Sequence, residues 1–338
     1  MYHGPPDVYF TRGYGLAVAE VEDGEWTGIE LADGNWQMPL VVRSLASGRS
    51  DAVSPYGYAG VFAGPGLSAS DVEDLWRQTR DQLRGRDVVA AFVRESPLVH
   101  QSPAPADAIP VVSGHATFYV PCRPAGEVWD AMASLRRRSI RKADKSGTTV
   151  TLTPATRDEL ASGSDFRRLY EGTMDKVDAR DYYFFGDSYY EALLAGLGED
   201  LLVGTARDPD GQALAAALFM KGPRTLHYHL SGATQEGSRG GATNKMLWEA
   251  IQFAIAQGLD GVLLGGGVSD GDGLERFKRS FGGEVRTFNA YGLIIDSQAY
   301  DDELALTAAR LGTEPAVLAT SGFFPAYRRT QVPTPEAQ

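Results

Sequence analysis

Residues 134–147 read SLRRRSIRKADKSG and gather Arg136, Arg137, Arg138, Arg141, Lys142 and Lys145 in a chain whose net charge is −12, with 44 Asp and Glu against 32 Lys and Arg. At roughly 100° per residue, Arg137, Arg141, Lys145, Arg138 and Lys142 fill one arc of a helix. Leu135, Ser139, Ala143 and Ile140 fall opposite. Arg137, Arg141 and Lys145 are like charges at i,i+4, a spacing that costs helix stability, where ordinary surface helices alternate signs. Two readings stay open. The arc is a solvated face answering the acidic surface elsewhere, or it contacts phosphates, of an RNA backbone or of a diphosphate substrate.

A second candidate lies at 262–285, VLLGGGVSDGDGLERFKRSFGGEV, which reads as strand, glycine loop and short helix. A dinucleotide loop fails there, because the third glycine of the fingerprint is Asp270 and no G-K-[ST] is present. Asp270 and Asp272 would also repel a phosphate. The glycines instead let a strand end sharply beside a ligand. Leu274, Phe277 and Phe281 share a face expected to be core, and Lys278 lies one residue off it. Lys278 is either a solvated lysine or a fixed positive charge for a developing oxyanion. His227 and His229 point to one strand face and, lacking a third ligand, read as packed aromatics rather than a metal site. The single Cys122 excludes an internal disulfide and zinc spacing.

The elements that must position these residues recur. Strand-like 51–62, a Gly-rich turn, a helix over 70–83 with Val72, Leu75, Trp76, Thr79 and Leu83 on one face, and strand 87–95 form one series. Ser70 with Glu73 predicts its capping box. Roughly 172 residues later come strand 225–233, a polar turn, a helix over 242–258 with Gly258 as stop, and an apolar strand. Strand pairs precede both: 14–24 with 26–42, and 201–211 with 212–222. The helix carrying the basic run is expected to span 128–147 unbroken. The pattern is α+β with mixed, mostly antiparallel sheets flanked by helices, in the order of an acetyltransferase-like (GNAT) fold, in duplicate. The expected division is 1–148 for the first subdomain, completed by 297–330, then 149–296 for the second and a flexible tail over 331–338. Neither a leader pattern nor a long apolar run is seen, so a soluble, cytoplasmic protein without integral membrane contact is expected.

The segments LRRRSIRKADKSG, LYEGTMDKVDARDYYFF, LHYHLSGAT with GATNKMLWEAI, LLGGGVSDGDGLERFKRSFGG and SPYGYAG together resemble the Fem family, from about Ser54 to 328. These are peptidoglycan-bridge-type aminoacyltransferases with two GNAT-like subdomains. The resemblance implies transfer of an aminoacyl group from aminoacyl-tRNA to an amine. The acceptor would be a peptidoglycan precursor or a small peptide or amino-acid intermediate of antibiotic biosynthesis. It implies direct attack on the ester with no covalent enzyme intermediate. The family's Phe-Lys pair matches Phe277 and Lys278 and implies contact with the tRNA 3′ end and the reacting ester. The coiled-coil arm of some members has no counterpart after Gly147. Acetyl-CoA users carry [QR]-x-x-G-x-[GA] before the central helix. Here, three residues after Arg239, stands Ala242.

Lys278 is therefore expected to stabilise the oxyanion, with Arg137, Arg141, Lys142 and Lys145 on the donor. Tyr228 and Tyr56 are expected as hydrogen-bond donors lining the cleft, against the alternative that both are core. Arg94, ending a strand where the sheet opens, binds an acceptor carboxylate or phosphate, or else a surface carboxylate. Asp175 and Glu95 are candidate bases, with no carboxylate pair standing out. No resident cofactor is expected, aminoacyl-tRNA being a co-substrate. An acyl-CoA-dependent N-acyltransferase and a non-catalytic GNAT-like binding module are the alternatives.

Overall fold

The structure is a computed structural model that describes residues 4–267 and 271–333. In chain order the strands are β1 (Gly24–Leu31), β2 (Trp36–Ser44), β3 (Ser50–Val53), β4 (Phe62–Ala63), β5 (Val88–Arg94), β6 (Ile109–Pro121), β7 (Thr149–Pro154), β8 (Leu201–Arg207), β9 (Ala213–Lys221), β10 (Thr225–Ala233), β11 (Gly261–Gly266) and β12 (Glu284–Ile294). The helices are α1 (Arg12–Glu22), α2 (Ala69–Arg84), α3 (Ala125–Ala131), α4 (Ser134–Lys145), α5 (Arg157–Leu160), α6 (Asp165–Lys176), α7 (Asp187–Leu197), α8 (Gln235–Gly240), α9 (Ala242–Ala256), α10 (Gly273–Arg279), α11 (Ser297–Leu311) and α12 (Pro315–Ala319).

Two compact units share the chain. The first holds Glu22–Gly114 and the residues from Phe288 on; the second holds Pro5–Val21 and His115–Thr287. The basic helix and β6 from His115 on thus belong to the second unit, whereas the sequence places the boundary after residue 148.

In the first unit the strand order is β1-β2-β3-β5-β12, with β4 on β2. All neighbours are antiparallel except β3 and β5, which α2 joins in parallel. Leu75, Trp76, Thr79 and Leu83 of α2 are buried, as the spacing predicts. The cap differs: Ser68, not Ser70, accepts from the Asp71 N–H, and the Asp71 carboxylate accepts from the Ser68 N–H. The core packs Trp36 edge-on against Trp76, with the indole N–H of Trp36 donating to the Thr79 hydroxyl at 3.0 Å.

The second unit repeats the plan. Its order is β6-β11-β10-β9-β8-β7, antiparallel but for β10 and β11, which α8 and α9 join in parallel. Met246, Leu247, Ala250, Ile251 and Ala254 of α9 lie in a core with Phe219, Leu226, Val262, Leu264 and Phe281. The larger of these side chains contribute about 1.5–3 kcal/mol each by leaving water. Gly258, just past the C-cap, takes φ +70° and stops α9 in the left-handed conformation.

Residues 14–24 are not a strand. All but the last two lie in α1, where Tyr14, Ala17 and Val18 are buried at i, i+3 and i+4, the helical rather than the alternating period. The expected 128–147 helix is broken. Ala133 takes an extended conformation between α3 and α4, and its N–H donates to the Ser280 carbonyl at 3.0 Å. That tertiary bond diverts an amide that a continuous helix would use internally.

Candidate active site of the second unit

The parallel pair β10 and β11 opens early. Their register runs Thr225↔Gly261, Leu226↔Val262 and His227↔Leu263 and ends there, although β10 continues to Ala233 and β11 to Gly266. Register shifts mark both outer ladders at the same level, between Tyr228 and Leu230 on the β9 side and between Leu263 and Gly265 on the β6 side. Bulges of this kind bend a strand and re-aim the side chains beyond the bend.

Lys278 stands at the end of β11. It is 8% exposed, and its Nζ donates to the Gly266 carbonyl at 2.7 Å. Burial pushes its pKa down to about 8, against the opposing pull of Asp272. An ammonium has three donors, so the Gly266 bond leaves two. The helix is turned otherwise than its apolar pattern predicts. Leu274 is 42% exposed, while Glu275 and Lys278 are buried. The Glu275 carboxylate accepts from Arg279 at 2.6 Å and from the Gly271 N–H at 2.5 Å, which holds its pKa down. Phe277 packs at the edge of the core, edge-on to the fully buried Phe281. Asp272 caps α10 by accepting from the Glu275 N–H. Asp270 lies outside the described residues.

His115, which no sequence pattern singles out, belongs here. A Cβ on Gly266 would lie 2.6 Å from the Ala116 carbonyl oxygen and 3.1 Å from His115 Nε2, so only glycine fits between the lysine's acceptor and this ring. Nothing in the run HATFYV signals that placement.

The basic run divides by its partners. Arg136, Arg137 and Lys142 are spent on the fold. Arg136 donates to Asn244 Oδ1 at 2.6 Å with its Cζ 4.9 Å over the Phe277 ring. Arg137 donates to the Trp129 and Asp130 carbonyls, with the Asp130 carboxylate at 3.7 Å, and Lys142 donates to the Arg239 carbonyl at 2.8 Å. Arg138, Arg141 and Lys145 are exposed, Arg141 lying 5.3 Å over the Trp129 ring. Among the described residues no carboxylate pairs with these three. Ile140 and Ala143 form the buried side of α4, whereas Leu135 is 53% exposed and lies off the expected apolar face.

This helix is fastened to the start of α9. Lys245 donates to Asp144 at 2.6 Å beside the Arg136–Asn244 bond. Gly241, at φ +90° between α8 and α9, faces the Ser139 carbonyl so closely that no Cβ fits. The N-terminus of α9, a ready anion site in principle, thus has the backbone of α4 against it.

Tyr228 packs against the core beside the Phe219 ring, and its hydroxyl donates to Ser231 Oγ at 2.6 Å. Burial raises its pKa to about 12, so it stays protonated. Tyr56 and Arg94 lie in the first unit. Tyr56 is half-buried, and Arg94 donates its N–H to Ser54 Oγ with its guanidinium 5.6 Å over the Phe92 ring. Asp175 is exposed at the end of α6, and Glu95 accepts from Asn289 at 2.8 Å.

The histidines are packed. His227 is 1% exposed with Nε2 3.1 Å from the Asp7 carboxylate, and His229 Nε2 lies 2.6 Å from the Tyr189 hydroxyl. Burial, then His227, pushes the His229 pKa down to about 3. Among the described residues no cluster of three or more metal-ligating side chains occurs, and no helix is long and apolar enough to cross a membrane. Cys122 is a free thiol whose pKa burial, aided by Asp260, pushes up to about 11.

Residues 134–279 match the family described as acetyltransferase (GNAT) domain. They run from the first residue of the basic helix to the last residue of α10. No curated protein matches the chain. Among solved structures, FemX is 14% identical with a TM-score of 0.67, over 88% of this chain and 95% of that one. The C-terminal domain of a putative lysylphosphatidylglycerol synthetase from Agrobacterium fabrum is 15% identical (TM-score 0.52; 87% and 91% covered). L-PGS from Bacillus licheniformis is 12% identical (TM-score 0.51; 81% and 85% covered). Residues 134–279 thus carry a GNAT-type domain, and the chain has a tandem GNAT-like fold similar to that of FemX, the likeness being one of fold.

Proposed function

We propose that this acyltransferase takes its acyl group from aminoacyl-tRNA and forms an amide with an amine acceptor. The acceptor would be a peptidoglycan precursor or a small peptide or amino-acid intermediate. The observation that carries the reading is the basic helix. It presents Arg138, Arg141 and Lys145 to solvent while Arg136 ties it to the helix of Lys278. A cationic face fixed to an oxyanion-stabilising lysine suits a donor that carries phosphates outside the reacting ester.

In the reaction the acceptor's neutral nitrogen attacks the ester carbonyl. The Lys278 ammonium, with two donors beyond its bond to Gly266, stabilises the tetrahedral oxyanion. The intermediate collapses with loss of the C–O bond to the ribose, the nitrogen's proton leaves, and the terminal hydroxyl of the RNA is regenerated. Phe277 would stand against the RNA 3′ end. Arg138, Arg141 and Lys145 would contact its backbone, while Arg137 and Lys142, tied to main-chain carbonyls, would act by holding α4 in place. Tyr228, through Ser231, is the candidate hydrogen-bond donor along the opened β10. Tyr56 and Arg94 are candidate acceptor contacts of the first unit. The sequence resemblance to Fem proteins supports the donor. The solved domain described as a putative lysylphosphatidylglycerol synthetase shares the fold, and its name fits the same class of donor.

A second reading, transfer from acyl-CoA, is favoured by the family description of residues 134–279. Against it stand the α4 backbone at Gly241 and the Ala242 that breaks the pyrophosphate pattern. The test is mass spectrometry of products formed with candidate acceptors when charged tRNA and acyl-CoA are supplied separately. Product from charged tRNA that RNase abolishes is the expected result. Product from acyl-CoA alone, with thiol release, overturns it.

A further inference from the structure

We propose that Arg136 is a positioning residue: stacked on the Phe277 ring and bonded to Asn244, its guanidinium holds the Phe277–Lys278 pair at the end of β11. The proposal deepens the reading of Lys278 given above and rests on it.

The argument begins with α10, which has seven residues. A helix that short has no stability of its own, so tertiary contacts must set its place. Its apolar anchoring is thin, since Leu274 is 42% exposed and Phe277 reaches only the edge of the core. Three contacts hold its C-terminal side to the α3–α4 corner. The Ala133 N–H donates to the Ser280 carbonyl, Gly282 lies against the Ala131 backbone, and Arg136 lies 4.9 Å over the Phe277 ring. Of these three, the Arg136 contact is the one that grips a side chain of α10, next in sequence to Lys278.

Arg136 is held at a cost. Burial lowers its pKa, Nε is buried without a partner among the described residues, and its acceptor is the neutral Asn244 rather than a carboxylate. A guanidinium kept this way is poorly explained as a stabilising ion pair. It is well explained as a flat, rigid clamp whose cation meets the face of a ring. The two ends of the clamp are fixed. Asn244 is 5% exposed in the first turn of α9, and Ile140 and Ala143 seat α4 in the core.

The test reads Lys278 directly. Lys278 is one of six lysines, and Lys278→Arg assigns its resonance in a 15N-lysine spectrum of the whole chain. The charged groups around it are Asp272, Glu275 and Arg279 on its own segment, Arg136 from α4, and His115 beside Gly266. Its titration midpoint is followed in the wild type, Arg136→Met and Arg136→Lys, with folding checked by circular dichroism. If Arg136 positions α10, both variants let water reach Lys278, and both raise its midpoint by about half a pH unit or more. Arg136→Lys keeps the charge and loses the planar contact. A shift in Arg136→Met but not in Arg136→Lys means that charge alone acts and overturns the proposal, as does no shift in either. If Arg136→Met does not fold, Arg136→Lys decides alone. Turnover with charged tRNA is measured separately, so failure of the donor reading is distinguishable from failure of the clamp.

Discussion

Lys278 and Gly266 are joined by a hydrogen bond of 2.7 Å that closes the gap between the short helix and the strand end it faces. The bond fixes the ammonium where β11 has already parted from β10, and it does so through a main-chain carbonyl that substitution cannot remove.

Lys278→Ala is expected to lower turnover with charged tRNA by at least about tenfold while the protein stays folded. Initial rates and circular dichroism on one preparation check this. Unchanged turnover would remove Lys278 from the chemistry.

The rate carries a signature of this lysine. With its pKa near 8, Lys278 is charged at pH 7 and loses its charge as the pH rises through 8. kcat is expected to gain a falling limb there, and Lys278→Arg, which stays charged, is expected to move that limb to higher pH. A pH–rate profile of both proteins on one acceptor is the measurement.

Stability depends on the same proton with a definite sign. A lysine lowered from about 10.4 to about 8 binds its proton more tightly in the unfolded chain than in the folded one. The penalty is full below pH 8 and fades as the pH rises through the unfolded value, so stability from this group rises over that window. Lys278→Met is therefore expected to exceed the wild type at pH 7 by up to about 3 kcal/mol. The two should converge near about pH 10.5, the range of an unperturbed lysine, checked by urea unfolding across that window. Equal stability at pH 7 would mean that the lysine is better solvated than its burial indicates.

Replacing Arg138, Arg141 and Lys145 together by Gln is expected to weaken binding of charged tRNA and to reduce the slope of log K against log salt by about 2. Arg137 is left alone, because its guanidinium is tied to carbonyls at the α3–α4 corner. Filter binding from 50 to 300 mM salt, roughly the range in which phosphate contacts are lost, reads the outcome. An unchanged slope would make these charges a solvated face.

Gly241→Ala is expected to destabilise the protein by about 2 kcal/mol or more, since it meets both a left-handed backbone and the Ser139 carbonyl. Thermal unfolding tests whether α4 is seated on α9 as tightly as that approach implies.

Much of the architecture is legible in the residues for physical reasons. The strand–helix–strand repeats rest on apolar periodicity, and α2, α9 and the strands around them obey it. The GNAT order and the Fem-like fold are legible with them. Where the pattern misleads, tertiary contact overrides it. Residues 14–24 mix Ala and Val in a way that suits either period, and only their burial shows the helix. The break at Ala133 depends on the Ser280 carbonyl, far away in sequence. The orientation of α10 defies its pattern, because Leu274 faces out and a lysine faces in. Spacing cannot say which of six cations are consumed internally, and His115 has no signature at all.

The threading of the chain has a bearing on its birth. The second unit needs Pro5–Val21 together with His115–Thr287, the first unit's strands being made in between, and the first unit needs the residues from Phe288 on. Neither can close during synthesis until its distant portions emerge, so α1 must wait, unseated, through the making of the strands that come after it. Closure of each unit during synthesis is thereby deferred, the second until residue 287 has emerged and the first until the residues after it have, which exposes the nascent protein to chaperones for longer than two simply consecutive domains would be.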